Sequence, residues 1–292
     1  MNDLMKMNEV IEYIEDHLES KIDYDEITKI SGYSWFYIQR IFSGIAGVTL
    51  SEYVRRRRMT LAASELMDSG IRILDLAVKY GYESADSFSR AFRNVHGVSP
   101  SEARKEKGAL KTYQPMSFII SVKGEKEITY RMESHNEMRI VGLVRHFKAP
   151  ENNEMDVNTF WKQLYSDGSH HRIAELADGD IRGVHGFLHV IDNETVDYII
   201  ASFSERQAPD DMEVYTIPKS KWAIFEGKGP VGIAIEEIWR KIYSEWLPST
   251  KYTHAETIEI ECFQYGDNKR DEDFKFEIWI PVKNNLDNCE TI

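Results

Sequence analysis

Cysteine is scarce in this sequence, and long apolar runs are absent from it. Only two cysteines occur among 292 residues, Cys262 and Cys289, and they form no CxxC pair. This pattern excludes a disulfide framework and a cysteine-based zinc site. There is no stretch of about 18 consecutive apolar residues, and the amino-terminal segment lacks the apolar core of a signal peptide. We therefore expect a cytoplasmic protein with no membrane partner.

Positive charge is also in deficit, because 36 Lys and Arg face 49 Asp and Glu and give a net charge of −13. Such a balance is unusual for a protein that binds DNA. The deficit is uneven, however, since the stretch from Ser34 to Leu110 holds 12 basic and 8 acidic residues. DNA affinity depends on local basic surface, so a DNA-binding unit in the first third of the chain is compatible with the composition.

A repeat with an offset of 50 residues occupies the first hundred positions. The matching pairs include Ser34 with Ser84, Arg40 with Arg90, and Phe42 with Phe92. Each copy has a short amphipathic segment, a glycine that permits a tight turn, and a serine at N-cap distance from a second helix. Apolar residues then recur at helical spacing. This order predicts two helix-turn-helix motifs, in each of which the second helix enters the major groove.

One long helix is predicted between the two copies, from Ser51 to Asp68, because its apolar residues have helical spacing and it contains no proline. About 17 residues at 1.5 Å each span roughly 25 Å. Such a strut would hold two recognition helices about one DNA turn apart, near 34 Å, so that a monomer or weak dimer reads two successive grooves. The four consecutive arginines at 55–58 cover every side of this helix, so we expect only one or two to face DNA.

These residues resemble the AraC/XylS family of transcription regulators from about Asn8 to Lys107. The resemblance is carried by Gly-Tyr-Ser at 32–34, Gln-Arg-Ile-Phe at 39–42, Gly-Tyr-Glu-Ser at 81–84, Phe-Ser-Arg-Ala-Phe at 88–92 and Gly-Val-Ser-Pro at 97–100. It implies a sequence-specific DNA-binding regulator with an all-α double helix-turn-helix domain at residues 1–107. It also implies double-stranded DNA and RNA polymerase as partners.

The resemblance further implies which side chains face the DNA. The first reading helix would present Trp35, Phe36, Gln39 and Arg40, and the second would present Ser84, Ala85, Asp86, Ser89 and Arg90. Arginine binds guanine bidentately, glutamine binds adenine and aromatic carbons contact thymine methyl groups, which suits the first set. Because Ala85 cannot hydrogen-bond a base and Asp86 is acidic, we expect less base readout from the second helix, or a preference for cytosine. Core packing is the alternative for Trp35 and Phe36, and phosphate contact for Arg90.

A second duplication, with an offset of 78 residues, follows a segment at 108–127 that we interpret as a linker with a candidate strand at Phe118–Val122. In it, Trp161 and the residues after it match Trp239 and its successors. Each copy is predicted as strand, helix, strand and strand, which gives an α+β domain with pseudo-twofold symmetry at residues 128–292. The predicted helices are Asn158–Tyr165 and Val231–Leu247, and the predicted strands are Met138–Phe147, Val184–Val190, Val196–Phe203, Lys221–Gly227, Glu256–Tyr265 and Phe274–Ile280.

This region resembles the GyrI-like effector-binding domain that is also attached to Rob-type regulators. The resemblance rests on Trp-Ala-Ile-Phe-Glu-Gly at 222–227, Glu-Ile-Glu-Cys-Phe at 259–263 and Glu-Ile-Trp-Ile-Pro-Val at 277–282. It implies a cleft between the two halves that binds a small lipophilic or cationic effector, as expected for a multidrug regulator, at a glutamate among aromatic rings.

Glu261 is the best candidate for this glutamate by alignment, and Glu259 is its rival because the two share a strand face. The candidate walls of the cleft are Trp161, Tyr198, Trp222 and Trp279. Phe263 stands where the family usually has tyrosine, which puts one hydrogen bond to the ligand in doubt. Core packing, or an exposed strand position for the glutamates, is the alternative for each residue.

Enzyme signatures such as GxSxG, Walker A and HExxH are missing from the sequence. We therefore expect no catalytic residue, no metal site and no cofactor. His185 and His189 lie four apart on a predicted strand with no third ligand, so we interpret them as surface or loosely packed residues. Two alternatives stay open for the C-terminal domain, because GyrI-like proteins include hydrolases of small electrophiles and inhibitors of a topoisomerase. The domain would then be a small-molecule hydrolase or a protein-interaction module.

Overall fold

The computed structural model describes residues 3–68, 70–106, 109–118, 128–148, 156–192, 195–263 and 272–284. The chain divides into two compact units, Met1–Ser121 and Val122–Ile292, and each is described by itself. The candidate strand at Phe118–Val122 lies outside the described residues after its first position. Within the described ranges, no helix combines the length and the apolar character needed to cross a membrane.

The described part of the first unit is helical. Its helices are α1 (Asp3–Asp16), α2 (Tyr24–Ser31), α3 (Trp35–Ala46), α4 (Leu50–Asp68), α5 (Ile73–Lys79), α6 (Ala85–His96) and α7 (Pro100–Glu106). The predicted motifs are α2–α3 and α5–α6. Gly32 and Gly81 form their turns with φ of 68° and 79°, in the left-handed region that glycine enters without steric penalty. Ser84 caps α6 by accepting a hydrogen bond from the Ser87 amide at 3.1 Å.

Both second helices, α3 and α6, bury the apolar face that helical spacing predicts. The buried residues are Ile38, Ile41 and Phe42 on α3, and Phe88, Ala91 and Phe92 on α6. The α6 face packs in one cluster with Met59, Ala62 and Leu66 of α4. At 19 residues, α4 spans roughly 28 Å and is the strut that the sequence predicts.

The second unit combines helices with one sheet. Its elements are β1 (Tyr130–His135), β2 (Met138–Lys148), α8 (Val157–Ser166), α9 (Ser169–Leu176), β3 (His185–Val190), β4 (Thr195–Phe203), β5 (Glu213–Ile217), β6 (Ser220–Lys228), α10 (Val231–Lys241), the π-helical turn Ile242–Trp246, α11 (Leu247–Ser249), β7 (Tyr252–His254), β8 (Glu259–Phe263) and β9 (Lys275–Asn284). The described strands form an antiparallel sheet in the order β1-β6-β9-β8-β3-β4-β2-β5, with β7 on β9. The predicted α+β duplication is confirmed, because β2-β4-β3 and β6-β9-β8 mirror each other across the β3–β8 pair.

The two faces of this sheet have different partners. Tyr198 and Ser202 lie on one face of β4. Trp161 of α8 donates a hydrogen bond to the Tyr198 hydroxyl, and Ser202 donates to the Ile173 carbonyl of α9 at 2.8 Å, so helices α8 and α9 pack on that face. Alternate residues of the same strands point to the opposite face. That face holds a buried apolar cluster that includes Phe187, Ile199, Trp222, Ile260 and Trp279.

Strands β1, β5 and β7 and helix α9 are absent from the sequence-based prediction, because their short, polar segments lack a clear period. The predicted strand Glu256–Tyr265 begins later than expected, at Glu259. Glu256 has φ of 53°, a left-handed conformation that a strand does not accommodate. The interpretation of His185 as a surface residue is wrong, since its side chain is fully buried and its Nδ1 accepts a hydrogen bond from the Phe263 amide at 3.1 Å.

Candidate functional sites

Glu261 lies at the seam between the two copies of the second unit. Its backbone partner across the seam is Gly186 of β3. The Tyr198 hydroxyl, from β4 of the other copy, donates to Glu261 Oε2 at 2.8 Å. Burial and the adjacent Glu261 carboxylate raise the pKa of Tyr198 well above its ordinary value, so Tyr198 stays a protonated donor. The seam therefore brings together a carboxylate from one copy and a phenol from the other, and these are two of the candidate site residues, Glu261 and Tyr198.

Two tryptophans related by the duplication approach this pair from the helices. Trp161 Nε1 of α8 donates to the Tyr198 hydroxyl at 3.1 Å, and Trp239 Nε1 of α10 donates to Glu261 Oε1 at 3.2 Å. Trp161 is among the predicted walls, but Trp239 is not. The signal for Trp239 was present in the sequence, because it is the direct repeat of Trp161.

Gly186 allows Tyr198 and Glu261 to meet. A Cβ atom at this position would lie 2.3 Å from the Tyr198 hydroxyl and 3.1 Å from Glu261 Oε2, and the first of these distances is too short for any residue but glycine. Gly186 is not among the site residues predicted from the sequence. A glycine inside a predicted strand is a signal of close approach, and here it marks the floor of the site.

Glu259 shares the strand face of Glu261, as expected, but its side chain is only 1% exposed. Its Oε1 accepts a hydrogen bond from the Tyr243 hydroxyl at 2.8 Å and lies 3.0 Å from His254 Nε2. A buried carboxylate with these protein partners does not reach a ligand in this conformation. The structure thus favours Glu261 over Glu259 as the candidate for ligand contact.

Trp222 and Trp279 do not line the Glu261 site, contrary to the prediction. Both pack in the apolar cluster on the sheet face opposite the helices, where they are 0% and 3% exposed. The reason is register, since the even and odd positions of a strand point to opposite faces. Phe263, which stands where the family has tyrosine, packs edge-on against Trp161 at 5.6 Å. The hydroxyl in the site comes from Tyr198 instead.

The first reading helix is less exposed than predicted. Phe36 and Gln39 are 0% and 2% exposed, so in this conformation neither side chain is available to a base, which corrects the prediction for these two residues. Trp35 is half-buried with its ring 4.3 Å from that of Tyr24. Arg40 is also half-buried, with its guanidinium 5.8 Å from the Phe36 ring.

The second reading helix is more open. Ser84, Asp86 and Arg90 are exposed, and Ala85 and Ser89 are half-buried. A shallow surface cavity of about 390 Å³ is lined by Asp86, Ser89, Arg90, Arg93, Asn94 and Ser99. The sequence analysis leaves out Arg93 and Asn94, although they follow Arg90 at helical spacing. Arg93 lies 3.5 Å from Glu102 and is 61% exposed, so it adds a second accessible cation to this face.

The arginine run on α4 is engaged within the first unit. Arg57 forms a bidentate pair with Glu15, at 2.8 and 2.7 Å. Arg58 donates to the carbonyls of Leu18 and Ser20 at 2.9 and 2.8 Å. Arg55 and Arg56 both pair with Glu52 of the same helix. Arg57 and Arg58 therefore serve to fix α4 against the amino-terminal segment.

Two family models match the chain. One is described as an integron-associated effector binding protein and matches residues 131–282, and the other is described as a helix-turn-helix domain and matches residues 27–106.

Relatives of known name match the first unit. The HTH-type transcriptional activator AarP of Providencia stuartii is 39% identical over 95 residues, which cover 32% of this chain and 70% of AarP. The regulatory protein SoxS of Salmonella typhimurium is 42% identical over 95 residues, or 32% of this chain and 89% of SoxS. A solved structure, of a putative bacterial transcription regulation protein from Staphylococcus aureus, is 24% identical with a TM-score of 0.47, and covers 54% of this chain and 100% of that one.

Proposed function

The chain belongs to the integron-associated effector binding proteins and, through its first unit, to the AraC-type helix-turn-helix regulators, and on that premise we propose that its effector is a lipophilic cation held by Glu261. Both resemblances drawn from the sequence are thereby confirmed. The protein is a DNA-binding transcription regulator that carries an effector-binding unit.

One observation carries the proposal about the effector. Glu261 is a carboxylate in a seam lined by indole and phenol rings, and the ion pairs within the described ranges give it no cationic partner. Its donors, Tyr198 and Trp239, are neutral, so none of the residues that the structure describes is seen to compensate its negative charge. A cation would supply the missing charge, and each aromatic face would add about 0.5–2 kcal/mol of cation–π attraction. A lipophilic cation is preferred because it loses little hydration on entering an apolar site.

Calorimetry on the intact chain tests this proposal. The probes are tetraphenylphosphonium and its neutral analogue triphenylphosphine oxide, and the expected result is a clear preference for the cation. Glu261→Gln should lower cation affinity by about 30-fold or more, since a desolvated charge pair is lost, and should abolish the preference. Glu237→Gln, at an exposed position of α10, is the matched control and should bind as the wild type does. Unchanged binding by Glu261→Gln would overturn the role of Glu261.

For the first unit, we propose that Trp35 and Arg40 contact bases in one major groove and that the α6 face from Ser84 to Arg90 contacts the next. The support is the accessible polar face of α6 and the roughly 28 Å strut that joins the two motifs. One monomer would then occupy a duplex site of about 20 base pairs. Arg40→Ala should weaken specific binding by about 1–3 kcal/mol. Equal affinity of the variant for the operator would contradict this assignment.

We also propose RNA polymerase as the downstream partner and the cytoplasm as the location. The support is that AarP, a relative of the first unit, is named a transcriptional activator. We interpret the seam as a binding site and not an active site, because the family model that matches residues 131–282 is described as an effector binding protein. Co-sedimentation of the DNA complex with RNA polymerase, with and without tetraphenylphosphonium, tests the partner.

A further inference from the structure

The duplication builds the same aromatic pair twice beside the seam. Trp161 and Tyr165 lie one turn apart on α8, and Trp239 and Tyr243 lie one turn apart on α10 and the π-helical turn. The ring centroids are 6.2 Å apart in the first pair and 5.8 Å apart in the second, and both pairs are stacked. Each tryptophan donates to the hydrogen-bond network of Glu261. The two pairs are therefore equivalent in position.

The tyrosine of the second pair, Tyr243, is held in place by a buried hydrogen-bond network. Tyr243 is 2% exposed, and its hydroxyl donates to the buried carboxylate of Glu259 at 2.8 Å. His254 Nδ1 accepts from the Glu256 amide at 2.7 Å, which leaves the proton on Nε2, 3.0 Å from Glu259. Charge-assisted bonds of this kind inside a protein hold a ring firmly. Trp239 therefore stacks on a support that does not move easily.

The first pair has a different support. Tyr165 is 50% exposed, and its ring stacks on that of His170 in α9 at 4.4 Å. By the strand register, the residue that corresponds to Glu259 in this copy is Val184, so the buried carboxylate is absent from the repeat. As a result, Tyr165 presents an aromatic surface to solvent next to Trp161, where Tyr243 presents none.

We propose that Tyr165, supported by His170, is a specificity-determining residue that extends the effector site outward and accepts a further aryl group of the cation. Trp239 is the fixed wall, positioned by Tyr243 and Glu259. A small cation contacts Glu261 and the two tryptophans, whereas a polyaryl cation also packs an aryl group against the exposed edge of Tyr165. This inference rests on the proposed role of Glu261 as the counter-ion of the effector.

Two probes of different size test the inference by calorimetry on the intact chain. Benzyltrimethylammonium carries one ring, and tetraphenylphosphonium carries four. Tyr165→Ala should weaken tetraphenylphosphonium binding by about tenfold and benzyltrimethylammonium binding by less than about twofold. Tyr165→Phe keeps the ring and should restore the affinity of the larger probe. His170→Ala removes the support and should reproduce part of the loss for that probe alone.

The repeat supplies a matched control. Tyr243→Phe breaks the bond to Glu259 and should weaken both probes by a similar factor, because the wall that both contact is loosened. If the wild type binds neither probe, the cation proposal itself fails. If the wild type binds both and Glu261→Gln loses them, but Tyr165→Ala affects both probes equally or neither, the cation site stands and Tyr165 has no role in specificity.

Discussion

Both units of this chain arise from duplication, but they use it in different ways. In the first unit each helix-turn-helix packs against α4, the first through Phe42 on Tyr53 and the second through the α6 face, so the two copies remain separate motifs. In the second unit each half-sheet alone would leave the backbone groups of one edge strand unpaired. The two half-sheets satisfy these groups by pairing through β3 and β8. The site lies at that join. The helical duplication thus leaves two separate helix-turn-helix motifs, whereas the sheet duplication forms a single seam.

The single site is also asymmetric. By the strand register, the position that corresponds to Glu261 in the first copy is its own pairing partner Gly186, and the position that corresponds to Tyr198 in the second copy is Phe276. The tryptophans, and the tyrosines one turn after them, are present in both copies. The two copies therefore share the aromatic walls of the seam, and the second copy supplies the carboxylate of Glu261.

The largest effect should come from breaking the strut of the first unit. Arg57→Ala leaves Glu15 without its bidentate partner in a region where the two side chains are only 8% and 19% exposed. We expect a loss of about 3 kcal/mol in the unfolding free energy of this unit. Hydrogen exchange of the α4 amides in the intact chain measures it. Arg55→Ala, on the same helix but 47% exposed, should cost less than about 0.5 kcal/mol. Similar losses from both variants would contradict the assigned role of Arg57.

Gly186→Ala tests the contact between the two copies at the seam of the second unit. The added methyl group would displace the Tyr198 hydroxyl, which lies 2.3 Å from its position, and remove its hydrogen bond to Glu261. Loss of a hydrogen bond to a charged group corresponds to about a 10- to 100-fold weaker affinity for tetraphenylphosphonium. Gly232→Ala on α10, where a Cβ meets nothing within 4 Å, is the control and should bind normally. Normal binding by Gly186→Ala would show that the two copies need not meet at this point.

A smaller effect on DNA binding should distinguish the two helix-turn-helix motifs. Arg93→Ala removes an exposed cation from the α6 face and should reduce the salt dependence of binding by about one ion, at a cost of about 1 kcal/mol. This loss should be the same for operator and unrelated DNA, while the loss from Arg40→Ala should appear on the operator alone. Fluorescence anisotropy over a salt series measures both. A loss from Arg93→Ala confined to the operator would make Arg93 a base contact instead.

The smallest predicted effect, on the pH dependence of stability, concerns a histidine–aspartate pair that is present in only one copy of the duplicated sheet. His146 Nδ1 lies 2.7 Å from Asp197 Oδ1, and this hydrogen bond raises the pKa of His146 above its ordinary value of 6.5. Because the folded state binds the proton more tightly, the stabilisation is complete below about pH 6.5 and is lost as the pH rises through the folded-state pKa.

Since the His146 side chain is 64% exposed, we expect less than about 1 kcal/mol from this pair. Denaturant unfolding of the wild type and of His146→Gln at pH 6 and pH 8 should show a smaller pH dependence in the variant. In the second copy Lys228 and Lys275 are the paired residues at these two positions, so no histidine–aspartate pair arises there. An unchanged pH dependence would mean that other groups dominate the titration.

Much of the architecture could be predicted because periodicity is a local property. The apolar spacing of Ile38, Ile41 and Phe42 predicted the buried face of α3, and the strands around Tyr198 and Trp279 were predicted within a few residues. Strands β1 and β5 were missed because edge strands carry polar residues on exposed positions, which weakens their alternation.

The site was predicted only in part, for a different reason. Glu261 and Tyr198 follow from the resemblance, but Trp222 and Trp279 were placed on the wrong face, because a one-residue difference in register reverses the side to which a side chain points. Phe36 and Gln39 follow the family pattern, yet their burial depends on packing that no local pattern encodes.

The sequence by itself determined the two duplications, the helical and sheet classes of the two units, and the presence of a glutamate within a strand. Those properties follow from the spacing and chemistry of neighbouring residues. Only the tertiary structure decided that Gly186 lets Tyr198 and Glu261 meet, and that the same aromatic pair is locked in one copy and exposed in the other. These facts depend on atoms far apart in the chain that come together when two half-sheets pair.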